Sequence, residues 1–527
     1  MIAADAVFIP RLQGRARFAA HDADVWKLAA LGLFTAWTLL IGAAHEPWFD
    51  EAQAWLLARD NGFIELVAKR ARYEGSPGLW HVILWVAIRC GLPYSKLYLL
   101  SAGFATAGAA VVLWRAPFPA YMRLGIVFSY FFAYQYACLA RSYSVDLLLI
   151  PLAAACFAGR AEKPLRYALV IGLLANLNAH GFVAGAVMGL ELGWSLFRAG
   201  KLRGSEAWIA LAIASGLGLL ALGTAWQPAD SGYIRPKSDA TAVSIASKAV
   251  GDLIDFLRHA FLDRLLVFSD RKYVPIDALL GFAVMLVALI PSIRLIARGN
   301  ARFVSAGVIG VLLAFSSVVY TSPWHSGLLF LFWVFAQWVS WPPQSDSLRR
   351  QVLIGFGVIA IGQMVQTART GIWELNHTYS PAGQAARFID EYHSRQPTAK
   401  IAAFGFKTFA MQPYWAGNRF ANYNDGASRP GWIDWRKGAP WDPFESEAGW
   451  KRVLEPKPNL IVASLAEIRG STDELLPLAC AAGYVETRRF QGTMIWRGAP
   501  YEDDTLAIFE PGSSPACAKV RRGHRAS

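Results

Sequence analysis

Twelve apolar segments recur along this chain, at about 28–44, 79–90, 97–114, 124–139, 143–158, 166–178, 182–197, 207–224, 275–296, 303–320, 325–342 and 352–366. A bilayer leaves the backbone nothing to bond to but itself, so runs of this kind are read as helices, each needing about 20 mostly apolar residues to cross. The segment 79–90 is the weakest of the set. The composition agrees: 55% of residues are hydrophobic, 17% are charged and the mean hydropathy is +0.31. The expected fold is an all-α polytopic membrane domain of about 11–13 transmembrane helices over residues 1–369. A small α/β domain is expected to follow over residues 370–527.

Charge placement gives an orientation. The net charge is +13, but the basic residues are scattered between apolar runs and form no stripe, which argues against a nucleic-acid partner. Loops 159–165, 198–206, 297–302 and 343–351 carry Arg160, Lys163, Arg198, Lys201, Arg203, Arg298, Arg349 and Arg350. These loops alternate so that all four can be cytoplasmic. Arg11, Arg15 and Arg17 precede the first segment, which reads as an uncleaved helix. The opposite face then receives the long loops 45–78 and 225–274 and the whole tail. Counted this way, 79–90 and 97–114 make one crossing too many, so the chain after 45–78 is expected to enter the membrane irregularly.

The loop 45–78 has an amphipathic pattern, with Ile64, Val67, Ala68 and Ala71 on one stripe. In the tail, "KIAAFGF" and "PNLIVAS" read as buried strands, with helices near 381–396 and 472–482. "YVETRRFQGTMIW" and "TLAIFE" follow as further strands. No phosphate-binding glycine loop is present there. Cys90, Cys138 and Cys156 read as packing residues; Cys480 and Cys517 can pair if the tail lies in an oxidising compartment.

The unusual polar residues share the outer face under this topology: Asp50, Glu51, Glu74, Arg141, Asp146, His180 and His325, with Tyr233, Arg235 and Lys237. Asp50 and Glu51 stand in "HEPWFDEAQAWLLARD", just after the first apolar segment. Asp50 followed by Gln53 has the spacing of a helix cap, so capping and chemistry are both open for it. Glu51 suits the first turn of a helix through the dipole. Arg141 and Asp146 open an apolar helix, where charge is costly and often functional.

These residues resemble the membrane-embedded glycosyltransferases of the GT-C superfamily. The likeness is to the protein O-mannosyltransferase and aminoarabinose-transferase branch, including the bacterial galacturonosyltransferase-like group. "PWFDEAQAWLLAR" resembles the first outer loop with its acidic pair, and "YEGSPGLWHVILW" the stretch after it. "ARSYSVDLLLI" resembles the second outer stretch, and "NHTYSPAGQAARFIDEY" the junction with an outer α/β domain. The resemblance implies an enzyme of the bacterial inner membrane, working on the periplasmic side. Its donor would be a sugar on a polyprenyl phosphate, a membrane lipid, and its acceptor a glycan, lipid or protein. Carried over, Asp50 would be the general base, and Glu51 would position sugar or acceptor, or support the base. Arg141, His325, Arg235 and Lys237 would receive the lipid phosphate, and Asp146, Glu74 and His180 complete the substrate-binding set. "PWHSG" departs from the family's usual motif near the last spans. Some members use a divalent metal; with no dense acidic cluster here, no metal ligands and no required cofactor are expected. A polysaccharide polymerase or ligase would share the donor. A lipid or solute transporter is the reading from another class, and the internal repeat common in transporters is not seen.

Overall fold

The computed structural model describes residues 12–232, 242–263, 275–319, 322–341, 345–423, 431–437, 447–465, 472–513 and 517. The chain is about 69% helical, with a small strand region near its C-terminus. Helix α1 spans Leu12–Ala44, α2 Phe49–Asp60, α3 Leu79–Arg89, α4 Tyr98–Arg115 and α5 Ala120–Val127. They are followed by α6 Tyr143–Phe157, α7 Pro164–Ala175, α8 Ala179–Arg198, α9 Ser205–Ala225 and α10 Ala242–Ala260. The helical part closes with α11 Pro275–Arg298, α12 Arg302–Val318, α13 Ser326–Ser340 and α14 Asp346–Asn376.

Among the described residues, five helices are long and apolar enough to cross a membrane: Asp24–Ala44, Tyr94–Arg115, Ser205–Ala225, Ile276–Arg298 and Asp346–Asn376. Helix α3 has 11 residues, a rise of about 16 Å against a hydrocarbon core of about 30 Å. It is shorter than a straight crossing requires, as is α7 with 12 residues. Local signals start the helices where expected: Pro164 opens α7, and the Asn178 side chain accepts the Gly181 N–H at the start of α8. Close helix contacts rest on absent side chains. A Cβ at Gly108 would stand 2.1 Å from the Leu147 carbonyl oxygen, so α4 and α6 pack backbone to backbone there.

Two parts of the helical region differ from the sequence expectation. On the stripe Ile64–Val67–Ala68–Ala71, read as one face of a continuous amphipathic helix, Ile64 is 74% exposed and only Ala71 is buried. A π-helical turn, Leu66–Arg70, interrupts the helix and turns Leu66 and Ala71, five positions apart, inward. The last apolar segment also runs further, α14 continuing to Asn376, so the helical region ends a turn or more past residue 369. Cys90 is exposed, whereas Cys138 packs in the core as expected.

After α14 come α15 Ala382–Arg395, β1 Ile401–Phe404, a 3-10 run Phe406–Tyr414, α16 Glu447–Leu454, β2 Leu460–Ser464 and α17 Thr472–Ala481. Strands β3 Tyr484–Phe490, β4 Thr493–Trp496, β5 Ala499–Asp503 and β6 Leu506–Pro511 complete the chain. The main sheet has the order β1-β2-β6-β3, with β1 and β2 parallel and β6 antiparallel to both of its neighbours. Alternation sends Leu460 and Val462 to the large core and Ile461 and Ala463 to a second cluster with Phe404, Trp450 and Phe509. Both faces of β2 are therefore covered, as its unbroken apolar run requires. "YVETRRFQGTMIW" is two strands rather than one: β4 leaves the sheet and pairs with β5 in a separate hairpin. Arg497 and Gly498, at φ 53° and 76°, make its turn. Cys480 and Cys517 form a disulfide.

Candidate functional site

The site is built on the first turn of α2. Trp48, in extended conformation, is the residue before the helix. The capping task falls to Glu51, whose Oε2 accepts the Trp48 N–H at 3.2 Å. Asp50 is not the cap that its spacing with Gln53 suggested. An α-helix turns about 100° per residue, so the two neighbouring acids point different ways. Asp50 points into a cavity. Glu51, 1% exposed, points into the protein, where its Oε1 accepts the Ala140 N–H at 2.6 Å and its Oε2 faces His45 Nε2 at 3.0 Å.

The cavity has a volume of about 230 Å³, and its lining includes Asp50, Gln53, Glu74, His81, Arg141, Tyr143, Asn178, His180, Trp324, His325 and Trp435. Arg141 ion-pairs with Asp50, Nη1 to Oδ2. The His180 and His325 rings lie 4.9 Å apart, and His325 lies 5.8 Å from the Tyr143 ring. Each histidine is oriented from behind. His180 Nε2 meets Ser316 Oγ at 3.1 Å, and His325 Nδ1 accepts the Ser322 N–H at 2.9 Å. That last bond makes Nδ1 the acceptor, so in a neutral His325 the proton is on Nε2. The His81 ring is 6% exposed, and its Nδ1 has no hydrogen-bond partner among the described residues.

One wall comes from the far end of the chain. Gln53 Nε2 and Trp435 Nε1 both donate to Glu74 Oε1, at 2.9 and 3.0 Å. Gln53 is itself clamped by the Ile433 backbone, its Oε1 accepting the N–H at 2.8 Å and its Nε2 donating to the carbonyl at 2.9 Å. Burial pushes the Glu74 carboxyl up to about 7, against the pull of those two donors; the Asp50 charge adds to the rise and Arg141 opposes it. A carboxyl that exchanges its proton near neutrality thus stands in the same cavity as an arginine-bound carboxylate.

Asp50, Glu74, Arg141, His180 and His325 are therefore brought together, as their shared face suggested. Two expected members stand behind the wall. Glu51 faces the interior network. Asp146, fully buried, accepts from Asn178 Nδ2 at 2.6 Å and so orients an asparagine that does line the cavity. Arg235 and Lys237, with Tyr233, lie outside the described residues. The sequence reading missed His81, Gln53, Trp435, His45 and Glu374. Of these, His81 carried a signal, being a polar residue set in the apolar helical pattern "LWHVILWVAI". Among the described residues, no three His, Cys, Asp or Glu side chains converge as they would around a metal ion. The arrangement can hold an anion beside a carboxylate in a partly closed space at one end of several apolar helices. No protein-family model matches the chain, and no curated protein matches it significantly in sequence.

Proposed function

We propose that the chain is a GT-C-type membrane glycosyltransferase that moves a sugar from a polyprenyl-phosphate donor to an envelope glycan, lipid or protein. The observation that carries this reading is the cavity itself, in which Asp50 stands against Arg141 beside His180, His325 and His81. Asp50 takes the proton of the acceptor hydroxyl. The hydroxyl oxygen attacks the anomeric carbon, and the bond from that carbon to the phosphate oxygen breaks with inversion. The phosphate keeps the electron pair, and Arg141 and His325 stabilise it. Glu51 supports the base by holding the turn that carries it.

Two further features favour the reading. An apolar groove of about 830 Å³ runs down α8 past Gly185, Gly189, Leu190 and Trp194 to meet Leu219. The first residues of α8, Ala179 and His180, line the cavity, so an isoprenoid chain in the groove would carry its phosphate toward Arg141. The Cys480–Cys517 disulfide suits an oxidising compartment for the C-terminal domain. The proposed setting is the bacterial inner membrane, with about 11–13 crossings and the cavity on the periplasmic side.

The test is D50N in the purified protein, assayed for sugar release from a polyprenyl-phosphate donor and for thermal unfolding. Lost turnover with unchanged stability supports the base; persistent turnover removes it. A reporter fused after residue 377, beyond the end of α14, checks the orientation, and a cytoplasmic signal there would refute the periplasmic assignment.

A further inference from the structure

Behind the cavity wall, a histidine stands between two carboxylates. His45 Nδ1 is 2.8 Å from Glu374 Oε1 and Nε2 is 3.0 Å from Glu51 Oε2. The remaining carboxylate oxygens are also engaged. Tyr134 donates its hydroxyl to Glu374 Oε2 at 2.6 Å, and Ala140 its N–H to Glu51 Oε1. His45, Glu51 and Glu374 are 6%, 1% and 2% exposed. A neutral imidazole has one N–H and one lone pair, so a neutral His45 would aim a lone pair at a carboxylate oxygen in a place water does not reach. Donation from both nitrogens satisfies both acceptors and offsets one of two buried negative charges.

The network closes on the proposed site. Glu51 follows Asp50, and Ala140 precedes Arg141. The Glu51-to-Ala140 bond and the Asp50–Arg141 ion pair therefore make a ring that fixes two chain segments 91 residues apart. We infer that His45 is an imidazolium clamped between Glu51 and Glu374, and that this clamp positions the Asp50–Arg141 pair. The importance of that pair rests on the function proposed above; the clamp itself rests on the geometry. Burial opposes the charge on His45, but the two carboxylates outweigh it and raise its pKa to about 10. The other titratable groups around it do not supply a competing partner. Glu46 bonds the Gly383 N–H at 3.0 Å and the Tyr414 hydroxyl, while Tyr379 packs its ring 4.7 Å from the imidazole.

The full chain, labelled with 15N-histidine, tests the clamp. The signal lost in H45Q, one of nine histidines, is expected to show two protonated ring nitrogens at pH 8; a neutral tautomer overturns the inference. If H45Q does not fold, E374Q keeps His45 and is expected to move one histidine signal toward the neutral form, and no movement overturns it. Positioning is read from thermal unfolding of H45Q, D50N and the double variant. The double variant is expected to depart from the sum of the single shifts by at least about 2 °C, because the sites share one ring of bonds; additivity overturns positioning. With a polyprenyl-phosphate sugar as donor, H45Q is expected to lower kcat at least about 10-fold with KM little changed. An inert wild-type protein would sink the transferase reading alone, since the nitrogen signals and the unfolding cycle decide the clamp without it.

Discussion

Asp50 and Glu51 carry the same functional group on adjacent residues, yet the regions they face have little in common. On one side is a cavity of about 230 Å³, where Asp50 meets a single arginine and retains partial exposure. On the other is a dry network in which Glu51 answers two backbone N–H groups and an imidazole. A carboxylate in the first region can exchange protons with a bound molecule. A carboxylate in the second is fully occupied, and its removal strands buried donors. The difference comes from one helical step of about 100°.

Substitutions at the two acids should therefore separate activity from stability. D50N should lower sugar transfer about 10³-fold, within the range for loss of a general base, with the unfolding temperature nearly unchanged. A matching loss of stability would assign Asp50 to the scaffold instead. E51A should do the reverse first, costing about 3 kcal/mol because His45 and two N–H groups lose a buried charged partner; denaturant titration reads this, and a neutral result would remove Glu51 from the network. Glu74 offers a smaller, pH-dependent contrast. Its folded pKa, raised to about 7, means that the folded protein keeps a proton the unfolded chain releases. Stability from this group is full below the ordinary carboxylate range and is lost as pH rises through about 7. E74Q should flatten that slope, gaining unfolding temperature on the wild type at pH 8 but not at pH 5. H81N should have the least effect on folding, since Nδ1 has no partner to lose, and should raise KM for the donor about 10-fold if it faces the phosphate. An unchanged KM would place His81 outside the binding set.

Much of this was legible in the residues. Apolar runs announced the helices because burial in lipid or core is a local demand on composition. Continuous apolar stretches announced β1, β2 and β6 for the same reason. Loop charges put Asp50, Arg141, His180 and His325 on one face in the sequence reading, and the fold brings the four to one cavity. The boundary between "YVETRRF" and "TMIW" was not legible, because β4 has the same composition whether it continues the sheet or pairs with β5. Nor was the break at Leu66–Arg70, since a π-helical turn differs from an α-helix by a shift of one hydrogen bond.

Sequence alone determined that this chain is mostly apolar helix, with helices long and apolar enough to cross a membrane, that a small α/β tail follows, and that an acid pair opens its second helix. Tertiary structure alone decided what each acid does. Glu51 became the cap and interior anchor because Ala140 and His45 lie on its side of the helix. Glu74 joined the site through Trp435, 361 residues further along the chain. Hydropathy and propensity act over a few neighbouring residues, whereas the setting of a buried carboxylate is the sum of groups brought in from distant segments.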